Sequence, residues 1–504
     1  MRHHGQQIPP ESLDGTPALS RRCIHRRVVM GVAAAAFGVL STAPAWAQGS
    51  ASAYGSGDLG GGRKWAASWA TAIQSAYVAP TTPQGASVPA FDPQPDLSFA
   101  LPNATTDGAS NQTMRMIIKP DLWGEVVRVR FSNVFGTKPV TFSAASVALQ
   151  DYQANLVRDS SIKLSFGGQA SLTVQPGRQV FSDPVRLPYV TEEAIPFLRG
   201  RNLAVSFAVA GSSGPASYHA SAFTTSYISP PNSGDVTKAE DDVAFPYSTT
   251  SFFFVSELDV VAPRDTLVIC AFGDSITDGT FSTLNGNDRW ENVMSRQLHN
   301  RFGDRVSVLN EGIGGNAVAA TVIGQPATQR VGRDVLGLSG INLMVWLEGI
   351  NDLGNARSTP DLVIAGYQQV VSTLHTAGVE VIGATVTSSF VPGGQVPANS
   401  PLAAGAGDAV AASYGSAQTD AYRKQLNTFI LTSGIFDATA DFAAGDDGPG
   451  HGDPPGAVRA EQRGQRGRLP APQPGRLSGH GSGRRQCGAA TDPRQHQRLT
   501  LMLA

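Results

Sequence analysis

The chain has little charge and almost no cysteine. Charged residues make up 15% of its 504 residues, and 38 Lys and Arg against 40 Asp and Glu leave a net charge of −2. Because neither sign is in excess, no nucleic-acid partner is expected. Three cysteines cannot form a disulfide framework. The stability of the protein is therefore expected to come from its hydrophobic core. The chain without its N-terminal targeting segment, described below, has about 450 residues, which suffice for two domains.

Motifs of several enzyme classes are missing as well. The sequence has no H-E-x-x-H, no paired C-x-x-C and no P-loop, so neither a metal nor a cofactor is expected. The G-x-S-x-G nucleophile elbow is also absent. A dinucleotide fingerprint is imitated by Gly312-x-Gly314-x-x-Ala317, but it follows the second predicted strand of its domain rather than the first. A nicotinamide-dependent oxidoreductase is therefore the least favoured functional hypothesis.

The N-terminus has the features of a targeting segment. Arg26-Arg27 precedes an uncharged apolar run from Val28 to Leu40, and Ala45-Trp46-Ala47 offers a small-x-small cleavage site. The run is too short to span a membrane, so no stable membrane anchor is expected. Residues 1–47 are interpreted as a signal peptide, which predicts a periplasmic or secreted protein. Residues 48–63, rich in Gly and Ser, are interpreted as a linker.

Residues 64–263 have a β pattern. Val127, Val129 and Phe131 alternate with polar residues, and the segments from Ile162 to Phe166 and from Leu203 to Val209 also alternate. Such period-2 segments, separated by Gly, Pro and Asn, predict an antiparallel β-sandwich as an accessory domain.

Strands and helices alternate in residues 264–442. Five strands are predicted, namely Leu267–Phe272, Val306–Leu309, Ile341–Leu347, Val379–Ser389 and Ile435–Phe442. Four helices are predicted between them, namely Trp290–Phe302, Ala327–Leu338, Pro360–Ala377 and Ala421–Thr432. The pattern predicts a three-layer α/β fold. A long Gly, Pro, Ala and Ser-rich segment, Pro392–Ser416, is interpreted as part of a substrate rim.

Chemistry-bearing residues follow three successive predicted strands. Gly273-Asp274-Ser275-Ile276 follows the first, a Gly-rich turn that includes Gly315 follows the second, and Glu348-Gly349-Ile350-Asn351-Asp352 follows the third. Because parallel strands end at one edge of a sheet, these residues are expected to converge. A serine hydroxyl, a glycine N–H and an asparagine amide are the parts of a nucleophile and its oxyanion hole. For Ser275, a helix N-cap is the alternative.

These linked motifs resemble the GDSL, or SGNH, family of serine esterases and acylhydrolases. Ser275 matches the family's Ser block, Gly315 its Gly block and Asn351 its Asn block, in order. The resemblance implies a flavodoxin-like hydrolase domain that follows the sandwich, with Ser275 as nucleophile and with Gly315 and Asn351 as oxyanion donors. It also implies cofactor-free hydrolysis of a small-molecule or polysaccharide ester, with short-chain or acetyl groups expected.

The family's fourth block, Asp-x-x-His, is missing. Residues 443–504 contain no Phe, Tyr, Trp or Ile and are interpreted as a disordered tail or as a shifted reading frame, since one offset allows an Asp-x-x-His-Pro-Asn pattern to be decoded there. His451, four residues after Asp447, is a possible substitute base. His299 and His375 fall within predicted helices, where surface or packing roles are expected. His219 falls within the β segment, where a structural role is expected and a place in the lining of the site is the alternative.

A non-catalytic carbohydrate-binding protein is the alternative function. Trp65, Trp69 and Trp123 of the β segment could stack on sugars, although core packing is the more common role of such residues. The sequence leaves open the acyl length, the alcohol and the oligomeric state.

Overall fold

The computed structural model describes residues 58–76, 94–389 and 413–445. The predicted signal peptide, most of the linker, most of the segment Pro392–Ser416 and nearly all of the tail lie outside the described residues. Within the described ranges, no helix is long and apolar enough to cross a membrane.

The described residues of the segment 58–263, namely 58–76 and 94–263, form antiparallel sheets. The strands are β1 (Asp58–Gly60), β2 (Arg63–Ala70), β3 (Ser110–Ile118), β4 (Val126–Asn133), β5 (Val140–Leu149), β6 (Ile162–Lys163), β7 (Leu172–Val174), β8 (Arg178–Phe181), β9 (Val185–Arg186), β10 (Leu203–Ser212), β11 (Tyr218–His219), β12 (Ser226–Ile228), β13 (Tyr247–Thr249), β14 (Phe252–Phe253) and β15 (Val255–Pro263), with one short helix, α1 (Ile195–Leu198). The first sheet has the order β1-β2-β15-β4-β8, with β9 also on β4. The second sheet has the order β13-β12-β3-β10-β5-β6, with β7 also on β5, and β11 pairs with β14.

Aromatic side chains join the facing surfaces of these two sheets. Phe131 of the first sheet lies 5.1 Å from Phe142 and 5.7 Å from Phe207 of the second sheet, measured between ring centroids. Phe254 packs edge-on against Phe142 at 5.5 Å. All four side chains are fully buried. The alternation predicted from Val127, Val129 and Phe131 therefore places these residues in a core shared by both sheets.

The other face of the first sheet is covered as well. Arg130 pairs with Glu257 and donates from Nη1 to the carbonyl of Gly337 at 2.8 Å. Arg128 donates from Nε to Asp259 at 2.8 Å, and Glu257 and Asp259 are fully buried. The polar positions that alternate with the apolar ones thus face the rest of the chain rather than water.

Residues 267–440 contain the parallel strands and their helices. The strands are β16 (Leu267–Gly273), β17 (Val306–Gly312), β18 (Ile341–Leu347), β19 (Glu380–Ala384) and β20 (Ala438–Ala440). The helices are α2 (Ser275–Asp278), α3 (Trp290–Phe302), α4 (Ala327–Asp334), α5 (Ile350–Gly354), α6 (Pro360–Thr376) and α7 (Ala417–Thr432), followed by a 3₁₀ turn at Ala443–Gly445.

The parallel sheet has the order β17-β16-β18-β19-β20. This is the 2-1-3-4-5 order of flavodoxin-like folds, which confirms the order that the resemblance implied. Alternate residues of β16 face opposite sides: Ile269 packs in the cluster that holds Leu298 of α3, whereas Phe272 packs in the cluster that holds residues of α4, α6 and α7. The sheet is therefore the middle of three layers.

Some predicted elements are too long. The helix predicted over Ala327–Leu338 ends at Asp334, because the following residues turn and dock Gly337 and Ser339 on the first sheet. The last two predicted strands shrink to Glu380–Ala384 and Ala438–Ala440.

Replacing Phe131 by Ala should lower the free energy of unfolding by about 3–5 kcal/mol, because the change removes a fully buried ring and leaves a cavity. Urea denaturation followed by tryptophan fluorescence measures it. Phe197→Ala is the matched control, since that ring is 83% exposed and its loss should change stability by less than about 0.5 kcal/mol. Equal losses in the two variants would contradict a shared core centred on Phe131.

Candidate active site

Ser275 begins a short helix directly after β16. Asp274 is the N-cap of this helix and accepts a hydrogen bond from the N–H of Ile276 at 3.0 Å, so the N-cap interpretation of Ser275 is wrong. Burial raises the pKa of Asp274 well above its usual value. Ser275 is half-buried, and no hydrogen bond to its hydroxyl is found in the described part of the chain. The turn thus positions the Ser275 hydroxyl, and the hydroxyl makes no hydrogen bond within that turn.

Glycine is required at the end of β16. A Cβ on Gly273 would lie 2.1 Å from the carbonyl oxygen of Leu347 and 2.6 Å from Oγ1 of Thr277. Any larger residue would push β18 or α2 away. The Gly of the first motif therefore serves the close approach of two strands to the helix that carries Ser275.

Gly315 lies in the turn that follows β17. Its φ is +75°, a left-handed conformation that favours glycine, and a Cβ there would lie 2.5 Å from Cδ1 of Ile323. The neighbouring N–H of Gly314 donates to Oδ2 of Asp278 at 2.6 Å. Since Asp278 is the last residue of α2, this bond ties the Gly-rich turn to the helix of Ser275.

Asn351 lies in α5, just after β18, and is 5% exposed. Its Nδ2 donates to the carbonyl of Asn316 at 2.7 Å, and its Oδ1 accepts from the hydroxyl of Tyr414 at 2.5 Å. Burial raises the pKa of Tyr414 to about 12, so the phenol keeps its proton and remains a donor. One N–H of the Asn351 amide is left over. Tyr414 was not predicted, since it lies in the segment interpreted only as a rim.

The three predicted residues lie at one edge of the parallel sheet. Gly273 pairs with Gly312 of β17 and with Leu347 of β18, so the three strands end at the same level. Ser275, Gly315 and Asn351 follow those ends by two, three and four residues. In the described residues, the N–H groups of Ser275 and Gly315 have no hydrogen-bond acceptor. This edge therefore carries a hydroxyl beside three unengaged N–H donors.

Asp352 holds the loop that follows the Gly-rich turn. Its carboxylate accepts from the N–H groups of Val318, Ala319 and Ala320 at 2.7–3.2 Å. Burial raises the pKa of Asp352, and these donors oppose that shift. Asp274 and Asp352 thus both stabilise turns at this edge.

Arg330 is a buried cation beneath this edge. It is 0% exposed and donates from Nη2 to the carbonyl of Gly273 at 2.9 Å and from Nη1 to that of Glu311 at 2.8 Å. Nε donates to Oδ1 of Asn316 at 2.8 Å. The guanidinium also lies 3.8 Å from the ring centroid of Phe272. One side chain thus joins the ends of β16 and β17 to the turn after Gly315, and no sequence signal distinguished it.

Three histidines fall within the described residues. The Nδ1 atom of His299 lies 2.9 Å from the carbonyl of Gly303, and its Nε2 lies 3.0 Å from Asp121. The Nε2 atom of His375 lies 2.8 Å from Oδ2 of Asp437, which also accepts from the N–H of Val381 near the start of β19. That pair is therefore at the opposite edge of the sheet from Ser275. His451 lies outside the described residues.

His219 contacts the helix of Ser275 from the β segment. Its Nε2 lies 3.1 Å from Oδ1 of Asp278, and its Nδ1 lies 2.9 Å from the carbonyl oxygen of Ala72. Both ring nitrogens of His219 are therefore engaged by Asp278 and Ala72, and neither is directed at Ser275. His219 is a positioning residue, because Asp278 also holds Gly314.

Residues 271–458 match the family model described as GDSL-like lipase/acylhydrolase family. The matched segment contains all three strand ends described above. Residues 271–458 are a GDSL-like lipase/acylhydrolase domain. The match extends beyond Phe442 through Asp447 and His451.

No curated protein sequence matches this chain. Among solved structures, a carbohydrate acetylesterase from Sinorhizobium meliloti is 18% identical, with 36% of this chain and 85% of that chain covered and a TM-score of 0.28. An aryl esterase from M. smegmatis is 18% identical, with 36% and 85% covered and a TM-score of 0.29. A lipolytic G-D-S-L protein from Desulfitobacterium hafniense DCB-2 is 14% identical, with 35% and 78% covered and a TM-score of 0.25. The family assignment depends on the family model, not on these structures.

The other hypotheses have less support from the geometry. In this GDSL-like domain, β17 ends at Gly312 and α4 begins only at Ala327, so the Gly-rich turn does not open a helix that could receive a pyrophosphate. Trp65 and Trp123 are 8% and 6% exposed, so they pack in the core and are not open to a sugar. Within the described ranges, no group of three or more His, Cys, Asp or Glu residues could hold a metal ion.

His219→Ala should destabilise the protein far more than His375→Ala does. Both histidines pair with an aspartate, but the His219 and Asp278 side chains are 5% and 1% exposed, against 40% and 32% for His375 and Asp437. Leaving Asp278 buried without its partner should cost about 3–5 kcal/mol, whereas the exposed pair should contribute at most about 1 kcal/mol. Urea denaturation of both variants, with amide hydrogen exchange of residues 312–318, measures this. Unchanged exchange in His219→Ala would contradict the positioning role.

Glu348 should make the free energy of unfolding of the protein fall as pH rises. Burial raises its pKa from 4.5 to about 7, while Arg330 and the indole of Trp346 oppose the shift. Between these two pKa values the unfolded chain loses a proton that the folded chain keeps, so the free energy of unfolding decreases with pH. Glu348→Gln should remove this decrease.

The stability of Glu348→Gln relative to the parent should rise by about 2–3 kcal/mol between pH 5 and pH 8. Denaturant titrations at both pH values measure the difference. Glu192→Gln, at an exposed position, controls for the loss of one carboxyl. A relative stability of Glu348→Gln that is the same at both pH values would contradict a Glu348 that is protonated in the folded state near neutral pH.

Proposed function

We propose that the chain is an exported serine carboxylesterase that hydrolyses O-acyl esters through an acyl-enzyme on Ser275. The observation that carries the proposal is the unengaged Ser275 hydroxyl at the sheet edge where Gly315 and Asn351 also lie. The match of residues 271–458 to the GDSL-like lipase/acylhydrolase family model supports the reaction class.

In the proposed reaction, Oγ of Ser275 attacks the ester carbonyl carbon and the carbonyl oxygen becomes an oxyanion. The N–H groups of Ser275 and Gly315 and the free N–H of the Asn351 amide donate to that oxyanion. The contacts of Asn351 with Asn316 and Tyr414 support this role, because they orient the amide before a substrate binds. The tetrahedral intermediate expels the alcohol, and water then releases the acyl group from Ser275.

A histidine must take the Ser275 proton and give it to the leaving alcohol. His219, His299 and His375 are engaged elsewhere. We propose that the base belongs to the part of the chain after residue 445, either His451 with Asp447 or an Asp-x-x-His block restored by a shifted frame. Sequencing the gene across the codons for Asp441 to Gly445 tests the second possibility.

The acyl group of the proposed ester substrate is short, such as acetyl. Ile276 and Ile323 are 36% and 47% exposed and adjoin Ser275 and Gly315, so they offer a small apolar surface. The polysaccharide or small alcohol to which the acyl group is attached stays open, as does the oligomeric state.

Export and domain organisation belong to the same proposal. Residues 1–47 would be a signal peptide that directs the protein to the periplasm or outside the cell, and residues 48–63 a linker. Residues 64–263 would form an accessory β-sandwich, which the packing of Phe131 against Phe142 and Phe207 supports. Residues 264–442 would form the hydrolase domain, and residues 443–504 a disordered or frame-shifted tail.

Ser275→Ala should abolish hydrolysis of p-nitrophenyl acetate, and Asn351→Ala should lower kcat by about 10²–10³-fold, because one oxyanion donor is lost. Initial rates of the parent and the variants at one pH measure this. Ser372→Ala and Asn300→Ala, at exposed helical positions, are matched controls and should keep the parent's rate.

A rate that persists in Ser275→Ala would contradict the nucleophile. Absence of activity in the parent would point to a missing base, and the frame-restored chain is then assayed in the same way. If that chain is inactive towards acetyl, butyryl and octanoyl esters, the proposed function is wrong.

A further inference from the structure

A polar cavity of about 90 Å³ lies between the β segment and the parallel-sheet segment. Its walls come from β2, from the loop after β3, from His219 and from α3 and β17. Ser275, Gly315 and Asn351 do not line it. It is therefore separate from the proposed active site, although Asp278 and His219 form part of its wall.

Three polar atoms of its lining are buried without a hydrogen-bond partner. They are Oε2 of Glu291, Oδ1 of Asn292 and Nε of Arg289. Glu291 is only 1% exposed, and its other oxygen accepts from Nδ2 of Asn310 at 2.8 Å. Buried polar groups normally have partners, so three orphan atoms in the lining of one cavity indicate groups that a ligand completes.

Lys119 adds a further donor. It is half-buried and lines the cavity, and no described residue accepts a hydrogen bond from its ammonium group. Trp69 and Phe252 contribute aromatic carbon to the same wall, where their rings pack edge-on at 5.0 Å. The cavity thus presents donors, acceptors and an apolar surface together.

We propose that this cavity binds a small uncharged polyhydroxy compound, either a polyol or a single sugar ring. A hydroxyl donates and accepts, so one class of group satisfies both the orphan acceptors and the orphan donors. The C–H surface of such a ring would face Trp69 and Phe252.

Charged ligands fit less well. An anion would lie against Oδ1 of Asn292, which is an acceptor, and against Oε2 of Glu291, which is an acceptor whenever that carboxyl is ionised. A cation would lie against Arg289 and Lys119. Burial raises the pKa of Glu291 to about 7, so this carboxyl is not a full anion near neutral pH and attracts an ammonium group only weakly. A neutral ligand avoids both conflicts.

The cavity has a suitable size. One water requires roughly 10–15 Å³ of cavity volume, so this cavity has room for several water-sized groups. A ligand of that size is expected to bind with a Kd of about 1 mM.

Isothermal titration calorimetry of the full chain with D-glucose, D-xylose and glycerol tests the proposal. Lys119→Met keeps the length of the side chain but removes the ammonium group, so its Kd should rise about tenfold. Lys238→Met, at an exposed position, is the matched control and should bind as the parent does. Ser275→Ala should also bind unchanged, because Ser275 does not line the cavity.

A saturable signal that weakens in Lys119→Met but not in Lys238→Met supports the site. Absence of saturable binding by all three compounds would overturn it and leave a cavity that holds only water. Binding of glycine in place of the sugars would overturn the assigned ligand class. None of these outcomes bears on the esterase proposal, because Ser275, Gly315 and Asn351 do not line the cavity and Lys119 does not contact them.

Discussion

The proposed active-site edge depends on one buried cation. Arg330 donates to the carbonyl groups that end β16 and β17 and to Asn316 in the turn after Gly315. Glu311, Asp334 and Glu348 lie around it, with exposed fractions of 4% or less. Removing this guanidinium would leave buried carboxyls and carbonyls without a donor. The ends of β16 and β17 would then lose the side chain that joins them. An aliphatic side chain of similar volume could not hold the two strand ends in place.

A second constraint is the polar seam between the two halves of the described chain. Arg128, Arg130, Glu257 and Asp259 lie on the face of the first sheet that docks on the turn around Ser339. His219 and Asp278 extend this seam to the helix of Ser275. Buried charges tolerate little misalignment, so such a seam specifies one orientation of the halves. The cavity lined by Glu291 and Lys119 lies at the same junction.

Much of the α/β organisation could be predicted from the sequence. The strand Ile341–Leu347 and the helix Trp290–Phe302 have their predicted bounds, because continuous apolar runs and amphipathic periods are local patterns. The end of α4 was missed, since it is set by contacts of Gly337 and Ser339 with Arg130 and Arg128, far away in the chain. Tyr414 and Arg330 were missed for the same reason: their partners are distant, and a lone Tyr or Arg carries no periodic signal.

The sequence by itself determined the order of the elements, the three motifs and the resemblance of residues 271–458 to GDSL-like hydrolases. These follow from residue types at short spacing, where turn chemistry and periodicity act locally. Only the tertiary structure decided that Asp274 rather than Ser275 caps α2, that Asp278 joins His219 to Gly314, and that the charged face of the first sheet is buried. Each of these depends on groups brought together by packing. Hydrogen bonds and ion pairs act over a few ångströms in space, whatever their separation along the chain.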